Sequence, residues 1–466
     1  MGTIPLPVET KPSECNSAQS RPNILWIQAD DISVDLGCYG EALVNTPNID
    51  RLAAEGVLFR NAFSTSPICS PARSAAITGM YQPTINAHNH RSFRYKRTNH
   101  LPENVRLLPE IFREHGYYNV LAHVDHPAKQ RYLPENPKDL GKSDYNFTWD
   151  RACYDTGGSP GLRFEAWPGF TSDRPFFAQV QLRGGKFRTE EARAQVDESS
   201  IKVHPYYPDR PVFIDRWARY LAAVIHLDTE VGMIMDQLEA GGFAENTAVF
   251  FFADHGPDNI RHKQTLYDGG IHVPLIVRPP SSQSMCGARS DLVSQIDIAA
   301  RSLGFAGIPV PSGMHGADLF APDFQPREYI VAARDRSGAN IDHVRCVRTD
   351  RYKYIRNFYP EKPSFSPENY MYRTSHATVL RNLHEAGQLN AAQSRFLDAD
   401  RPEEEFYDLQ IDPHEINNLA DDPSCSAKLA ELRGVLDRWI ERTGDLGALK
   451  EPVDEMQENT WYHRPE

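Results

Sequence analysis

A short segment at residues 69–73, Cys-Ser-Pro-Ala-Arg, combines residue types that can carry chemistry. Its small residue, proline and arginine predict a short turn that leads into a helix. Cys69 would then lie beside free backbone N–H groups at the positive end of the helix dipole, four residues from the permanent cation of Arg73. Such a cysteine can be a low-pKa nucleophile, a metal ligand or a target of modification. The alternative is a buried cysteine that caps a helix.

Acidic residues follow two apolar segments that lie far apart in the sequence. Residues 23–29 predict a buried strand that ends at Asp30 and Asp31, and residues 247–253 predict a strand in the middle of a parallel sheet that ends at Asp254. In an open parallel sheet, sites form outside the carboxyl ends of the strands, so these three carboxylates are expected to meet. A metal site is one interpretation of the acidic groups, and helix capping is the other.

Strands and helices alternate along the first part of the chain, which predicts a doubly wound α/β fold. The helices are expected at residues 47–55, 107–115 and 217–238, with further strands at 117–122 and 176–182. The pattern of predicted elements changes after Pro311. Short segments at 329–333, 344–348 and 352–357 predict a smaller antiparallel sheet, and a last helix is expected near 427–442.

The composition excludes several classes of function. The 466 residues carry a net charge of −13 without a block rich in lysine or arginine, so nucleic acid is not an expected partner. No apolar run approaches the length of a membrane span, so a membrane is not an expected partner either. The seven cysteines have no paired short spacings, which argues against a zinc site and a full set of disulfides.

The first 20 residues are polar and rich in proline, and they lack the basic and apolar regions of a secretory signal. They predict a disordered tail. A cytoplasmic protein is expected, or a periplasmic or secreted one if a signal peptide has been removed.

Cys69, Pro71 and Arg73, with the later Thr78-Gly79, resemble the signature of the type I sulfatases, although Ala72 stands where the family most often has serine. The resemblance extends over nearly the whole chain from about residue 21. It implies an alkaline-phosphatase-like fold, in which a mixed doubly wound sheet is flanked by helices and followed by a small antiparallel sheet. It also implies that a formylglycine-generating enzyme converts the cysteine to formylglycine (3-oxoalanine), an aldehyde hydrated to a geminal diol.

The same resemblance implies a bound divalent cation, usually calcium. The residues that match the family's ligands are Asp30, Asp31, Cys69 as formylglycine, Asp254 and His255. Carboxylate oxygens suit a hard cation of this kind. The ion would orient the diol and polarise a sulfate oxygen as a Lewis acid.

Two further cations match the family's motifs. Arg73 would hold the diol and stabilise charge in a site with little water. Lys263, within residues 262–270, corresponds to a lysine that contacts the sulfate, and Asp268 replaces the glutamate that usually follows it.

The chain departs from the family after the strand at 117–122, where the usual Gly-Lys-x-His run is absent. Residues 141–147, after an inserted loop, resemble a variant of some carbohydrate sulfatases. The resemblance implies that Lys142 is the active-site lysine, with Asp144 or His126 beside it. His126 is either a catalytic residue or an ordinary loop histidine.

A second departure follows the strand at 176–182, where Lys186 stands at the position of a histidine that commonly serves as the acid. Lys186 is expected either to donate a proton with a depressed pKa or to bind an anionic group. His88 and Arg91 lie in a stretch that resembles the sulfamidase-like, carbohydrate-directed branch, and they either line the pocket or belong to a polar loop.

The sequence therefore predicts a hydrolase of sulfate esters, acting on a sulfated carbohydrate. Residues 21–325 would form the catalytic domain and residues 326–466 a C-terminal subdomain. Two alternatives are a phosphonate or phosphate ester hydrolase of the same fold and a non-catalytic anion-binding protein in which Cys69 stays a thiol.

Overall fold

The structure, a computed structural model, describes residues 21–92, 99–123, 142–160 and 162–448. The predicted tail at residues 1–20 lies outside these ranges. Within them, no helix is both long and apolar enough to cross a lipid bilayer.

An eight-stranded sheet forms the centre of the larger part of the chain. Its strands are β1 (Asn23–Ala29), β2 (Val57–Phe63), β3 (Tyr118–His123), β4 (Thr156–Pro160), β5 (Phe176–Leu182), β6 (Thr247–Ala253), β7 (Leu275–Arg278) and β8 (Gly287–Ser294). Their order is β4-β3-β5-β1-β6-β7-β2-β8. The strands from β4 to β6 in this order are parallel, and β7 is antiparallel to both of its neighbours. The mixed sheet agrees with the predicted class, but β6 is parallel to a neighbour on one side only.

Helices cover both faces of this sheet. They are α1 (Pro47–Glu55), α2 (Cys69–Thr78), α3 (Leu108–Glu114), α4 (Glu190–Arg193), α5 (Pro211–Ala240), α6 (Asp268–Ile271) and α7 (Asp297–Phe305). Because side chains alternate along a strand, Leu25 and Ile27 of β1 pack in the core beside α5, while Ile24 and Trp26 pack in the opposite core beside α7. A strand that is buried on both faces has the continuous apolar sequence seen here.

The predicted elements are largely confirmed. β1, β5 and β6 have the predicted bounds, whereas β3 begins and ends one residue later than expected. The long helix α5 contains the whole predicted segment and begins earlier, at Pro211, whose fixed φ suits the first helical position. It ends before Gly241, as expected.

A second sheet follows in the C-terminal part. Its antiparallel strands β9 (Tyr329–Arg334), β10 (Val344–Thr349), β11 (Tyr352–Asn357) and β12 (Glu404–Asp408) lie in the order β12-β11-β10-β9. The helices are α8 (Ser375–Glu385), α9 (Ala391–Ser394) and α10 (Ser426–Thr443). Three strands and the last helix were predicted, and β12 was not. The proposed division at residues 325/326 falls between α7 and β9.

Candidate active site

Three adjacent parallel strands end at one edge of the large sheet. Ala29 at the end of β1 pairs with Leu182 of β5 on one side and with Ala253 of β6 on the other, so the segments that follow these strands emerge together. The Asp31 N–H donates a hydrogen bond of 3.1 Å to Asp254 Oδ1. The two acidic segments therefore meet, as the sequence predicts.

Cys69 is buried and is the first residue of α2, so residues 69–73, predicted as a turn that leads into a helix, form its first turn, and the cysteine lies at the positive end of the helix as expected. The N-cap residue, Ile68, makes no side-chain hydrogen bond to the helix, so the positive end of the helix faces the groups around the cysteine. The sulfur lies 3.2 Å from His255 Nε2, which lies 3.3 Å from Asp31 Oδ1. The cysteine is thus placed directly against the acidic edge of the sheet.

Arg73 lies one turn further along α2 and is only 1% exposed. Its Nε donates to Asp254 Oδ2 over 3.0 Å, and its other nitrogens contact the Asp30 carboxylate and the side-chain oxygen of Gln181. A planar guanidinium with five N–H donors suits this three-way bridge. Gln181 was not predicted. Its signal in the sequence is an amide near the end of β5, on a strand that also contains Gln179.

All three lysines taken from the family pattern lie at these carboxylates. Lys142 Nζ contacts the two oxygens of Asp30 at 2.9 and 2.8 Å. Lys186 Nζ lies 2.6 Å from Asp30 Oδ2 and 3.3 Å from Asp31 Oδ2, and Lys263 Nζ donates to Asp31 Oδ1 over 2.9 Å. The site therefore gathers ammonium groups beside the cysteine, in a chain whose net charge is negative, which suits an anionic substrate.

These cations also set the charge of Cys69. Burial alone would raise the pKa of its thiol, but Lys142, Lys186, Lys263 and His255 outweigh burial and hold that pKa well below its ordinary value. The Lys186 Nζ lies 3.8 Å from the sulfur. Unmodified, the side chain would favour the thiolate.

The expectation of a depressed pKa at Lys186 is wrong. Burial alone would lower the pKa of Lys186, but Asp30 and Asp31 outweigh burial and raise it well above its ordinary value. At Lys142, burial prevails over the attraction of Asp30 and the pKa is lowered. Asp30 raises the pKa of both lysines, and the difference arises because Asp31 also raises that of Lys186. The other interpretation of Lys186, an ammonium that binds an anionic group, is favoured.

The smaller sheet holds the segment that carries Lys263. Lys353 of β11 is fully buried, and its ammonium donates to the Leu266 carbonyl over 3.1 Å. The same ammonium lies 2.5 Å from the Asp268 carboxylate and 2.7 Å from that of Glu415. Asp268, which replaces the family's usual glutamate, thus belongs to a buried ion-pair network that positions the segment.

The donor set fits a hard divalent cation. His255 Nδ1 lies 2.9 Å from the Gly256 carbonyl, which can only accept, so Nδ1 carries a proton, and Nε2 would offer a lone pair to a cation when the ring is neutral. Asp31, Cys69 and His255 offer ligand atoms that lie within 4.8 Å of one another. With the two further carboxylates of the site, this donor set is rich in oxygen, as calcium prefers.

Arg91 and Asp144 form a pair at the side of the site. Arg91 donates to Asp144 from Nε over 3.1 Å and from Nη2 over 2.9 Å. Asp144 lies 3.9 Å from Lys142 Nζ, so the prediction that Asp144 lies beside this lysine is confirmed. His126, the other predicted neighbour, lies outside the described residues.

Within the run at residues 87–91, the structure places His90 beside the cysteine. His88 is buried near His343, whose pKa it helps to lower after the larger effect of burial. A ring nitrogen of His90 lies within 4.8 Å of the Cys69 sulfur. The sequence run Ala-His-Asn-His-Arg at 87–91 contains both histidines and gives no local signal that separates them.

Two glycines allow the segment after β5 to approach the end of β1. A Cβ on Gly184 would overlap the backbone oxygen of Asp30, and a Cβ on Gly185 would overlap that of Asp31. The Gly185 N–H donates to the Asp30 carbonyl over 2.9 Å. This close backbone contact is what brings Lys186 over the two carboxylates.

We expect Gly184→Ala to lower thermal stability and to lower kcat/KM by at least about 10-fold, because a 1 Å displacement in a site can cost more than that. Gly169→Ala is the matched control, since Gly169 also has a positive φ, 70° against 50°, but has nothing within 4 Å of an added Cβ. In the control we expect only the loss of folding stability that backbone strain causes, about 1–2 kcal/mol. Equal losses of activity in both variants would contradict the packing role of Gly184.

Comparison with known proteins identifies the family. The family model described as Sulfatase matches residues 22–308, and the model described as N-sulphoglucosamine sulphohydrolase, C-terminal, matches residues 256–396. An ulvan-active sulfatase of Formosa agariphila is 32% identical over 489 residues, which cover 95% of this chain and 78% of that protein.

Solved structures agree with the fold. A protein in complex with its substrate D-glucosamine-2-N,6-O-disulfate gives a TM-score of 0.65 at 17% identity, covering 92% of this chain and 100% of that one. A phosphonate monoester hydrolase of Agrobacterium radiobacter gives 0.64 at 19% identity, covering 92% and 97%. At these identities the likeness establishes the fold alone. The match to the sulfatase model over more than half of the chain, together with the Formosa relative, shows that this chain belongs to the sulfatase family, hydrolases of alkaline-phosphatase-like fold.

Proposed function

We propose that the protein hydrolyses sulfate esters of a carbohydrate, with Cys69 converted to formylglycine by a formylglycine-generating enzyme. The observation that carries the proposal is the placement of Cys69 at a buried helix start, against three ammonium groups and a set of carboxylates. The sugar substrate is supported by the names of the similar proteins, which specify ulvan, N-sulphoglucosamine and a glucosamine disulfate.

A calcium ion would be held by Asp30, Asp31, Asp254 and His255, and it would polarise a sulfate oxygen as a Lewis acid. Sulfatases generally use such a divalent metal and a formylglycine. A formylglycine supplies a geminal diol, in which one hydroxyl is a nucleophile and the other allows sulfate to be released.

The other roles in the reaction would belong to cationic side chains of this chain. Arg73 joins Asp30 to Asp254 and so fixes the two acidic segments relative to the helix of the nucleophile. Lys142, 22% exposed at its side chain, and Lys186, 36% exposed, border solvent and would bind oxygens of an incoming sulfate ester. Preorganised cations of this kind stabilise charge that develops in the transition state.

The proposal is tested by comparing kcat/KM for an aryl sulfate, the matching phosphate and phosphonate monoesters, and a sulfated amino sugar. The sulfate esters should be preferred. A preference for the phosphorus esters would instead support the alternative hydrolase of the same fold. Peptide mass spectrometry across residue 69 should show the aldehyde or its hydrate, and an active enzyme with an unmodified thiol would contradict the mechanism.

The metal ligands are tested by Asp254→Asn, which removes a charged oxygen donor from the site. We expect metal affinity to fall by at least the roughly 10- to 100-fold typical of outer-shell changes. Metal content after dialysis and calorimetric titration with Ca²⁺ would measure it. Asp228→Asn is the control, because Asp228 is an equally buried carboxylate that accepts from the Ile49 N–H outside the site. Full metal retention by Asp254→Asn would remove Asp254 from the ligand set.

A further inference from the structure

Arg188 is an exposed arginine two residues beyond Lys186. The backbone of Phe187 between them is extended, with φ −133° and ψ 137°, so the α-carbons of Lys186 and Arg188 are about 7 Å apart. Among the described residues, Arg188 has no hydrogen-bonding or ion-pair partner. The segment that brings Lys186 to the acidic residues of the site therefore carries a second, exposed cation.

Two arginines of α5 lie close to Arg188. Partial burial, followed by Arg219 and Arg216, lowers the pKa of Arg188, so the three guanidinium groups are within electrostatic reach of one another. The packing agrees, because α4 begins two residues after Arg188 and its Arg193 lies 3.4 Å from Asp215 of α5. Asp215 also pairs with Arg219 at 2.7 Å. We call Arg188, Arg216 and Arg219 the arginine cluster.

The arginine cluster also adjoins the segment that carries Lys263. Arg216 donates from Nε to Asn259 Oδ1 over 2.9 Å and pairs with the Asp258 carboxylate at 3.2 Å. Burial alone would lower the pKa of Lys263, but Asp31 and, more weakly, Asp258 contribute to raising it. The cluster thus lies beside the segments of two active-site lysines.

The nearby carboxylates do not provide a partner for every member of the cluster. Asp258 pairs with Arg216, and the side chain of this arginine is still 33% exposed. Asp215 pairs with Arg219, which is 48% exposed. Arg188 is left without such a pair among the described residues. Guanidinium groups so placed repel one another, and an anion bound between them would remove that repulsion.

The chemistry of the cluster indicates the kind of anion. A planar guanidinium donates two parallel N–H bonds to an oxyanion, and sulfate and carboxylate both have the matching geometry. The chain as a whole carries a net charge of −13, so it repels a multiply charged anion except where cations are concentrated. The arginine cluster and the active-site lysines form such a concentration.

We propose, on the basis of the proposed function, that the arginine cluster is a subsite for a second anionic group of the substrate. That group is a sulfate or a carboxylate on the same saccharide chain as the sulfate ester that is hydrolysed. Lys142 and Lys186 would hold the reacting sulfate while Arg188 binds the second group. The substrate is therefore a polyanionic oligosaccharide and not a sugar with a single sulfate.

The kinetic test compares the full-length converted wild type, Arg188→Gln and Arg51→Gln. Arg51 is the matched control, since it is an exposed arginine of α1 whose replacement changes the net charge equally. With an aryl sulfate, which has one anionic group, kcat/KM should be unchanged in both variants. The Ki of a sulfated tetrasaccharide from heparin, measured against the aryl sulfate, should rise by about 5- to 10-fold in Arg188→Gln, because a charge-assisted hydrogen bond is lost. It should stay unchanged in Arg51→Gln.

A binding test does not depend on turnover. The same tetrasaccharide is titrated calorimetrically into Cys69→Ala and into Cys69→Ala/Arg188→Gln, and Kd should be about 5- to 10-fold weaker in the double variant. A carboxyl-reduced tetrasaccharide identifies the second group: retained affinity for Cys69→Ala identifies a sulfate, and lost affinity identifies a carboxylate. Thermal unfolding would confirm that the variants are folded.

Unchanged Ki and Kd on replacement of Arg188 would overturn the proposal. Equal losses in Arg51→Gln would do so too, because the effect would then be one of net charge. Inhibition that does not compete with the aryl sulfate would place the bound anion outside the substrate site, with the same consequence. If the converted wild type hydrolyses no sulfate ester, the proposed function fails, whereas the titration still decides whether the arginine cluster binds an anionic saccharide.

Discussion

Replacing Cys69 by alanine will leave the fold intact and lower turnover by on the order of 10⁶-fold, the loss seen when a covalent nucleophile is removed. The substitution removes one buried sulfur at the start of α2 and breaks no backbone hydrogen bond. Alanine can be neither a nucleophile nor a precursor of formylglycine. The measurement is kcat/KM on a sulfate ester, with circular dichroism and thermal unfolding on the same preparation.

The matched control for this experiment is Cys153→Ala. Cys153 is also a free cysteine, and it is 5% exposed against 2% for Cys69, but its carbonyl accepts from Asn119 at the start of β3, at the opposite end of the parallel strands from the acidic residues. We expect a normal rate in the control. Retention of activity in Cys69→Ala would exclude every mechanism in which residue 69 reacts, and would favour a metal-bound water as the nucleophile.

Replacing Arg73 by alanine should have the largest effect on stability. Arg73 is 1% exposed and bridges two buried carboxylates. In the alanine variant Asp30 keeps Lys142 and Lys186, whereas Asp254 loses its arginine partner. Breaking a buried ion pair typically costs about 3–5 kcal/mol, since the remaining charge is uncompensated. The free energy of unfolding in urea measures the effect, and kcat/KM on the folded protein should fall as well.

Arg73→Lys should recover only part of this loss, because a single ammonium cannot reproduce the three contacts of the guanidinium to Asp30, Asp254 and Gln181. Arg301→Ala is the control: Arg301 is a buried arginine that pairs with Asp318 at 2.7 Å, outside the set of site residues. The control should lose stability but keep its kcat. An equally stable and active Arg73→Ala enzyme would show that the metal alone holds the acidic segments.

The sequence was most informative where the signal is local. The start of α2 at Cys69 follows from the small residues and proline around it, and the apolar run before Asp30 and the one before Asp254 each define a buried strand. Such patterns depend on neighbours a few residues away, so they can be interpreted without knowing the fold. Lys142 was predicted only from the resemblance to the family, because hydrophobic periodicity does not indicate the function of a residue that follows an unusual loop.

The sequence by itself determined the element types, the carboxylates at the strand ends and the reactive cysteine. Tertiary structure decided which side chains reach that cysteine. Gln181 meets Arg73 across 108 residues, and Lys186 meets Asp30 across 156. The physical reason is that these contacts depend on β5 lying beside β1 and on Gly184 packing against the Asp30 backbone. Strand order and close backbone approach come from packing across the whole sheet, which no local pattern encodes.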